Sequence, residues 1–492
     1  MHEPSSPSPD QRISGVALIS FAIVLLGTLG YWLILAWRVP LNEYIPHWFW
    51  VPTTAPRPYW WLIFLILGIV IGCVFFVQKT SLSAGISLLV LVVAGFIIQQ
   101  IFALMEGRAI DGIRDRMIHT GHAIFATEAA EQLGDKRLLF VARNYQNLIE
   151  DGTLSIYPTA TKPPGHILFY MLTDRLARRI FRPWSWSTPL ERLTTFASFF
   201  WPLLSYLPIL PMYWLSKLFI NGKLAYVPSI LYLCIPAINL ITLHLDQCLY
   251  PLLFISALTS FIYGVVLRNA TLIVLAGMIS SLAVYISFSL VIVLIFIILI
   301  LLLDRITDFI SLKPENAIML DPVLTPNAKL FLYSAGFLAV NAVLFFLLNY
   351  NLFTNYLFIL SIHQTFKITD WSIGTALYIG WLDILEFALW VGLPLFSLSI
   401  SHAIRAFRKI RVQDVYTLSA IVYVLVLLGL AFLGKTVAET ARLWLFLTPL
   451  MVILAAKEIT LIFRRSPWNA VLFLTMIQTV YTFVIKMWQD FL

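Results

Sequence analysis

Long apolar stretches recur along almost the whole of this chain, and they constrain its fold more than any other feature. A helix needs about 20 such residues to cross the hydrocarbon core of a bilayer. Qualifying stretches begin near residues 13, 59, 82, 190, 225, 248, 270, 286, 329, 377, 415, 443 and 467. They predict an all-α, polytopic transmembrane protein of about thirteen spans, with 270–304 divisible into two short helices or one long one. Only 12% of residues are charged, against about 25% in a soluble domain, so lipid must solvate much of the surface.

The net charge of +8 would suggest nucleic acid in a soluble chain; here it reads as Lys and Arg gathered in cytoplasmic loops. Cys73, Cys234 and Cys248 lie in or beside apolar stretches and have neither disulfide nor metal-ligand spacing. The first apolar stretch follows a polar, Pro- and Ser-rich tail (1–12), is too long for a signal-peptide core, and is read as a retained span. The expected organisation is that tail, three spans within 13–105, a large outer loop at 106–189, and the remaining helices in 190–492.

Sidedness follows from the short loops. With the N-terminus cytoplasmic, the inside loops hold thirteen Lys and Arg and the short outside loops hold five. That predicts a plasma-membrane protein with its N-terminus inside, its C-terminus outside and the 106–189 loop outside. The segment after YPTATKPPGH, with five charges in about fifteen residues, suits an amphipathic helix lying in the interface.

The candidate chemistry sits at the outer ends of spans. In Lys162-Pro163-Pro164-Gly165-His166 the prolines hold the backbone extended, and Gly165 permits close approach. A lysine fixed there is a point charge suited to a lipid-linked phosphate; the plain structural alternative is a proline stop with a snorkelling lysine. Earlier in the loop stand Asp111, Asp115, His119, His122 and Glu128. Sugar transfer to a hydroxyl needs a base, and carboxylates or imidazoles here qualify, against the alternative of a solvated charged loop. His119 and His122 would share a helix face, but no third metal ligand is fixed. Asp246, in HLDQCLY, is an acid at a depth where acids line cavities or pair with cations; His244 beside it is a weaker candidate. Glu439 and Arg442, in ETARLWLFLTP, either pair with each other or present Arg442 as an anion clamp. His363, Gln364 and Lys367 are further candidate ligand contacts, as are Asp383 and Glu386.

An outer loop closed by TKPPGHILFY, a later outer acid in HLDQCLY and a late arginine in ETARLWLFLTP together resemble the GT-C class of membrane glycosyltransferases. The likeness is to the branch that includes the aminoarabinose and protein mannosyl transferases. It implies a polyprenyl-phosphate sugar donor, a glycan, lipid or protein acceptor on the outer face, and inversion by direct displacement. By that resemblance Lys162 touches the donor phosphate, Asp246 lines the site and an early loop carboxylate is the base. No cofactor is fixed, and a divalent metal is compatible with the chemistry. The chain departs from the family where GHAIFATEA places Gly121 and His122 at an expected acidic pair. Either Asp111 or Asp115 takes over, or His122 serves as base, or the activity is altered or lost; the carboxylates rank first. Two extra spans before the loop are an elaboration. The rival readings are a transporter or flippase of lipid-linked sugars, a glycan polymerase or ligase, and a non-catalytic relative acting as a partner subunit.

Overall fold

The computed structural model describes residues 9–119, 123–182, 188–243, 245–309, 324–366, 372–408, 415–433, 436 and 439–489; for residues 9–21, 307–309 and 363–366 it describes the backbone alone. Regular structure among these residues is helical, apart from a single bridge between Pro52 and Gln489. α1 (Pro9–Ala36) and the short α2 (Leu41–Tyr44) lead into α3 (Ile63–Lys79) and α4 (Ala84–Leu104). The large loop then carries α5 (Ala109–His119), α6 (Ala123–Thr127), α7 (Leu138–Arg143), α8 (Tyr145–Glu150) and α9 (Pro164–Ile180). α10 (Pro189–Tyr206) runs on into α11 (Ile209–Lys217), and α12 (Val227–Tyr232), α13 (Leu249–Val266), α14 (Ala270–Ile286), α15 (Ile292–Phe309) and α16 (Pro326–Leu348) follow. The chain continues through α17 (Leu352–Phe366), α18 (Ile373–Val391), α19 (Leu393–Arg408), α20 (Val415–Phe432), α21 (Thr440–Leu443), α22 (Thr448–Ile462) and α23 (Pro467–Trp488).

Ten helical stretches among the described residues are long and apolar enough to cross a bilayer, with three shorter apolar ones at 22–36, 270–286 and 352–362. The chain is therefore a multi-pass membrane protein. The 270–304 region is two helices, α14 and α15, turned at Ser287, whose hydroxyl accepts from the Ser289 N–H at 3.3 Å. The span expected from residue 225 is broken: α12 gives way at Leu233–Ile235 to a wide helical turn, Ala237–Ile241. Pro236 removes a backbone donor there, and Asn239 supplies replacements by donating to the Leu233 and Ile235 carbonyls at 2.8 and 2.9 Å. α17 falls where the sequence suggests a loop. Its described part is fifteen residues long.

Caps in the sequence set several helix starts. Thr188 accepts from Glu191 N–H at 3.0 Å with Pro189 at the first helical position, and Thr325-Pro326 repeats the device for α16. α14 and α16 pack through Gly277 and Gly336, each lying against the other helix's backbone. Tyr333 adds a 2.8 Å bond to Ser280 and Asn341 a 2.9 Å bond to Ser281. Small residues that let backbones approach, together with interhelical hydrogen bonds, are how helices associate in lipid.

The bundle has two ends. The 106–189 loop, Asp246, Ser287 and α21 lie at one, the loop end; Lys79, Lys223, Arg268, Lys329 and Arg405 lie at helix ends on the other. Buried ion pairs fasten that far end: Lys329 to Asp304 at 3.1 Å, and Arg405 to Glu458 at 2.7 Å, with His402 3.0 Å from the same carboxylate.

Candidate active site at the loop end

The K-P-P segment belongs to a pinned strap, 155–166. Tyr145, buried on α8, donates its hydroxyl to the carbonyls of Thr159 at 2.8 Å and Lys162 at 2.9 Å. Glu128 accepts from Ser155 N–H at 2.7 Å and from the Thr159 hydroxyl at 2.6 Å, and is 1% exposed. It is therefore an anchor of the strap rather than a solvated acid. Pro163 is extended and Pro164 takes the first position of α9, the place where a missing N–H costs nothing. A Cβ on Gly165 would strike the Tyr285 carbonyl at the end of α14, so the close approach expected of this glycine is to backbone.

α9 begins by burying His166, which packs edge-on to Phe125 of α6 at 4.3 Å. His166 Nδ1 stands 3.3 Å from Asp246 Oδ2, and both side chains are 2% exposed. Tyr170 donates to the other oxygen, Oδ1, at 3.3 Å. The histidine–aspartate approach is close but poorly aligned. Both imidazole nitrogens and Asp246 Oδ2 lack a hydrogen-bond partner among the described residues. Burial pushes the His166 imidazole down to about 4; Asp246 opposes this, while Lys162 and Arg442 add to it. Those two cations, from segments far apart in sequence, thus share one electrostatic neighbourhood with the buried pair.

Arg442 is presented by a short turn that two carboxylates in α18 hold. Asp383 accepts from Thr436 and Thr440 hydroxyls at 2.6 and 2.8 Å, and Glu386 accepts from Ala441 N–H at 2.8 Å. Both acids are nearly fully buried, so they support the turn instead of facing a ligand. Glu439 pairs with Arg442 at 2.7 Å, the i,i+3 pairing expected from the sequence.

The two carboxylates expected as bases are both engaged in ion pairs. Asp111, 71% exposed at its side chain, pairs with Arg114 at 3.2 Å; Asp115 pairs with Arg108. Both stand on α5, which packs against α4, α6 and α10. His122, His244 and Lys367 lie outside the described residues, as do the side chains of His363 and Gln364; the backbone of α17 passes over the strap at Thr159–Thr161. Among the described residues no three His, Cys, Asp or Glu side chains gather as a metal-binding group.

Sequence reasoning missed a second buried charge cluster. Glu106, just past α4, pairs with Arg116 at 2.5 Å and with Lys486 of α23. Burial pushes this carboxyl up, but Lys486 and Arg116 outweigh burial and bring it to about 2.

No family model and no curated protein matches the sequence. Among solved structures, the chain is similar to the Archaeoglobus fulgidus oligosaccharyltransferase in complex with zinc and sulfate: 13% identity, 81% of this chain and 53% of that one, TM-score 0.46. The apo form of that protein gives 11% identity, 81% and 56% coverage, and a TM-score of 0.45. The archaeal oligosaccharyltransferase AglB from the same organism, with an inhibitory peptide and a dolichol-phosphate, gives 13%, 74% and 54%, at 0.42. This chain spans just over half the length of those proteins. So loose a likeness assigns no activity.

Proposed function

We propose that the loop end is the active site of a membrane glycosyltransferase that moves a sugar from a polyprenyl-phosphate donor to a glycan, lipid or protein acceptor. The observation that carries this reading is that Lys162 and Arg442 both bear on the buried His166–Asp246 pair. Two cations that act on one buried histidine suit a lipid phosphate. In the reaction an acceptor oxygen attacks the anomeric carbon while the bond from that carbon to the phosphate oxygen breaks. The phosphate leaves as an anion stabilised by Lys162 and Arg442. The acceptor proton passes to a carboxylate of α5, Asp111 or Asp115, or to His122. Glu439, paired with Arg442, stands beside the proposed phosphate site. Lys and Arg at the far end support a loop end that faces away from the cytoplasm, with α1 starting inside and α23 ending outside.

A transporter of lipid-linked sugars is less well supported. Its broken helices would expose polar groups to a path at the bilayer midplane. The broken crossing at Leu233–Ile235 is sealed: Asn239 bonds within its own turn, and Gln99 of α4 donates to the Ile238 carbonyl at 2.9 Å and to Thr242 at 3.1 Å.

The test is sugar transfer by purified protein from radiolabelled polyprenyl-phosphate donors, comparing wild type with Asp111→Asn, Asp115→Asn and His122→Ala. One of the three should abolish transfer and so name the base. Wild type that transfers nothing from any donor would leave the enzyme reading without support.

A further inference from the structure

Beneath the second half of α9 lies a pocket of about 440 Å³, within the range of small-molecule and lipid sites. Its walls are Phe96 of α4, Leu176 and Ile180 of α9, and Phe196, Phe199 and Leu203 of α10, all hydrocarbon. Ile180, Phe199 and Leu203 are exposed, so the pocket opens sideways, toward what would be the acyl region beside the bundle.

α9 has the pattern of a helix lying in an interface. One face carries Leu172, Leu176 and Ile180; the other carries Arg175 and Arg178, which bond the Lys136 carbonyl at 2.7 Å and Asp174 at 2.7 Å. Two more arginines at its end, Arg179 and Arg182, are exposed, and no acidic partner for either is found among the described residues. An apolar slot lined by Ile180, with an exposed arginine one residue before it and another two residues after it, complements a molecule with a hydrocarbon tail and an anionic head. Arginine matches phosphate geometry, and clustered basic residues at a membrane surface favour anionic headgroups.

We infer that this slot binds one anionic phospholipid, with an acyl chain between α4, α9 and α10 and its phosphate on Arg179 and Arg182. The site is separate from the loop-end cluster and does not depend on the glycosyltransferase reading.

The test is native mass spectrometry of the intact protein released from nanodiscs containing equal phosphatidylglycerol and phosphatidylcholine. Variants are Arg179→Gln with Arg182→Gln, which removes the two exposed charges, and Leu203→Trp, which fills the slot; gel filtration and thermal melting report whether each is folded. Wild type should retain one phosphatidylglycerol at least tenfold over phosphatidylcholine. The arginine variant should lose that preference while still retaining lipid, and Leu203→Trp should lose the retained lipid. Equal retention of both lipids by wild type, or an unchanged preference in the folded arginine variant, overturns the inference. So does displacement of the bound lipid by equimolar polyprenyl phosphate, which would make the slot a donor-tail site. If Leu203→Trp does not fold, Leu176→Phe provides the same steric test.

Discussion

His166 Nδ1 lies 3.3 Å from Asp246 Oδ2 in a site where both side chains are almost completely buried. Neither group reaches a well-formed bond with the other, and the imidazole, pushed down to about 4, is neutral at physiological pH. A buried polar atom without a partner is costly, so the pair is maintained against a penalty that packing elsewhere must offset.

The first prediction concerns pH. Above about 6.5 the His166 ring is neutral in both the folded and unfolded chain. Between about 6.5 and 4 only the unfolded chain takes up the proton, so stability falls as pH drops through that window and levels off below it. The displacement corresponds to about 3 kcal/mol across the window. Melting of detergent-solubilised protein from pH 7 to 4 should show the decline, and His166→Asn should flatten it. An equally steep decline in that variant would place its origin in other groups.

The strap depends on one phenol. Tyr145→Phe removes both bonds to the Thr159 and Lys162 carbonyls and should cost about 1–2 kcal/mol. If the strap positions Lys162, kcat/KM for the donor should fall severalfold, part of it in kcat because Lys162 stabilises the leaving phosphate. Gly165→Ala, which drives a methyl group into the Tyr285 backbone, should lower stability by about 1–3 kcal/mol. A neutral Gly165→Ala would mean that α9 and α14 are not in contact there.

Asp383 is a positioning residue for Arg442. Asp383→Ala frees Thr436 and Thr440 and should raise donor KM about tenfold while leaving the acceptor KM unchanged. Asp383→Asn, which keeps one acceptor oxygen, should recover part of the loss. Loss of both affinities in equal measure would point to general unfolding of the loop end.

Lys486 is 1% exposed and is held against Glu106. Glu106→Gln leaves a buried ammonium without its carboxylate and should cost about 3–5 kcal/mol. Glu106→Gln combined with Lys486→Met should recover most of that, as read from melting temperatures.

How much of this was legible in the sequence follows from distance along the chain. Lys162, Asp246 and Arg442 stand out because each is a charged group at the end of an apolar stretch, and the 106–189 loop because it interrupts such stretches for so long. The Glu439–Arg442 pair is local and was readable from its spacing. Glu106 with Lys486, and Asp383 with Thr440, join residues far apart, and no periodicity signals them. Glu128 looked solvated because its loop is polar; it is buried because the strap folds back over it. Residues 225–241 look like an ordinary span because apolar content hides the break, although Pro236 was its signal. Chemistry on a loop is harder to read than packing in a span, and the ranking of Asp111 and Asp115 as bases rests on the resemblance and on reactivity alone.

The central claim is that Lys162 and Arg442 act on the same donor phosphate. It is tested most directly by a double-mutant cycle on kcat/KM for transfer from a radiolabelled polyprenyl-phosphate sugar, using Lys162→Ala, Arg442→Ala and both together. The account predicts that each single variant loses at least about a hundredfold, and that the double loses far less than the product of the two because they share one anion. Full activity in either single variant, or losses that multiply, would contradict it.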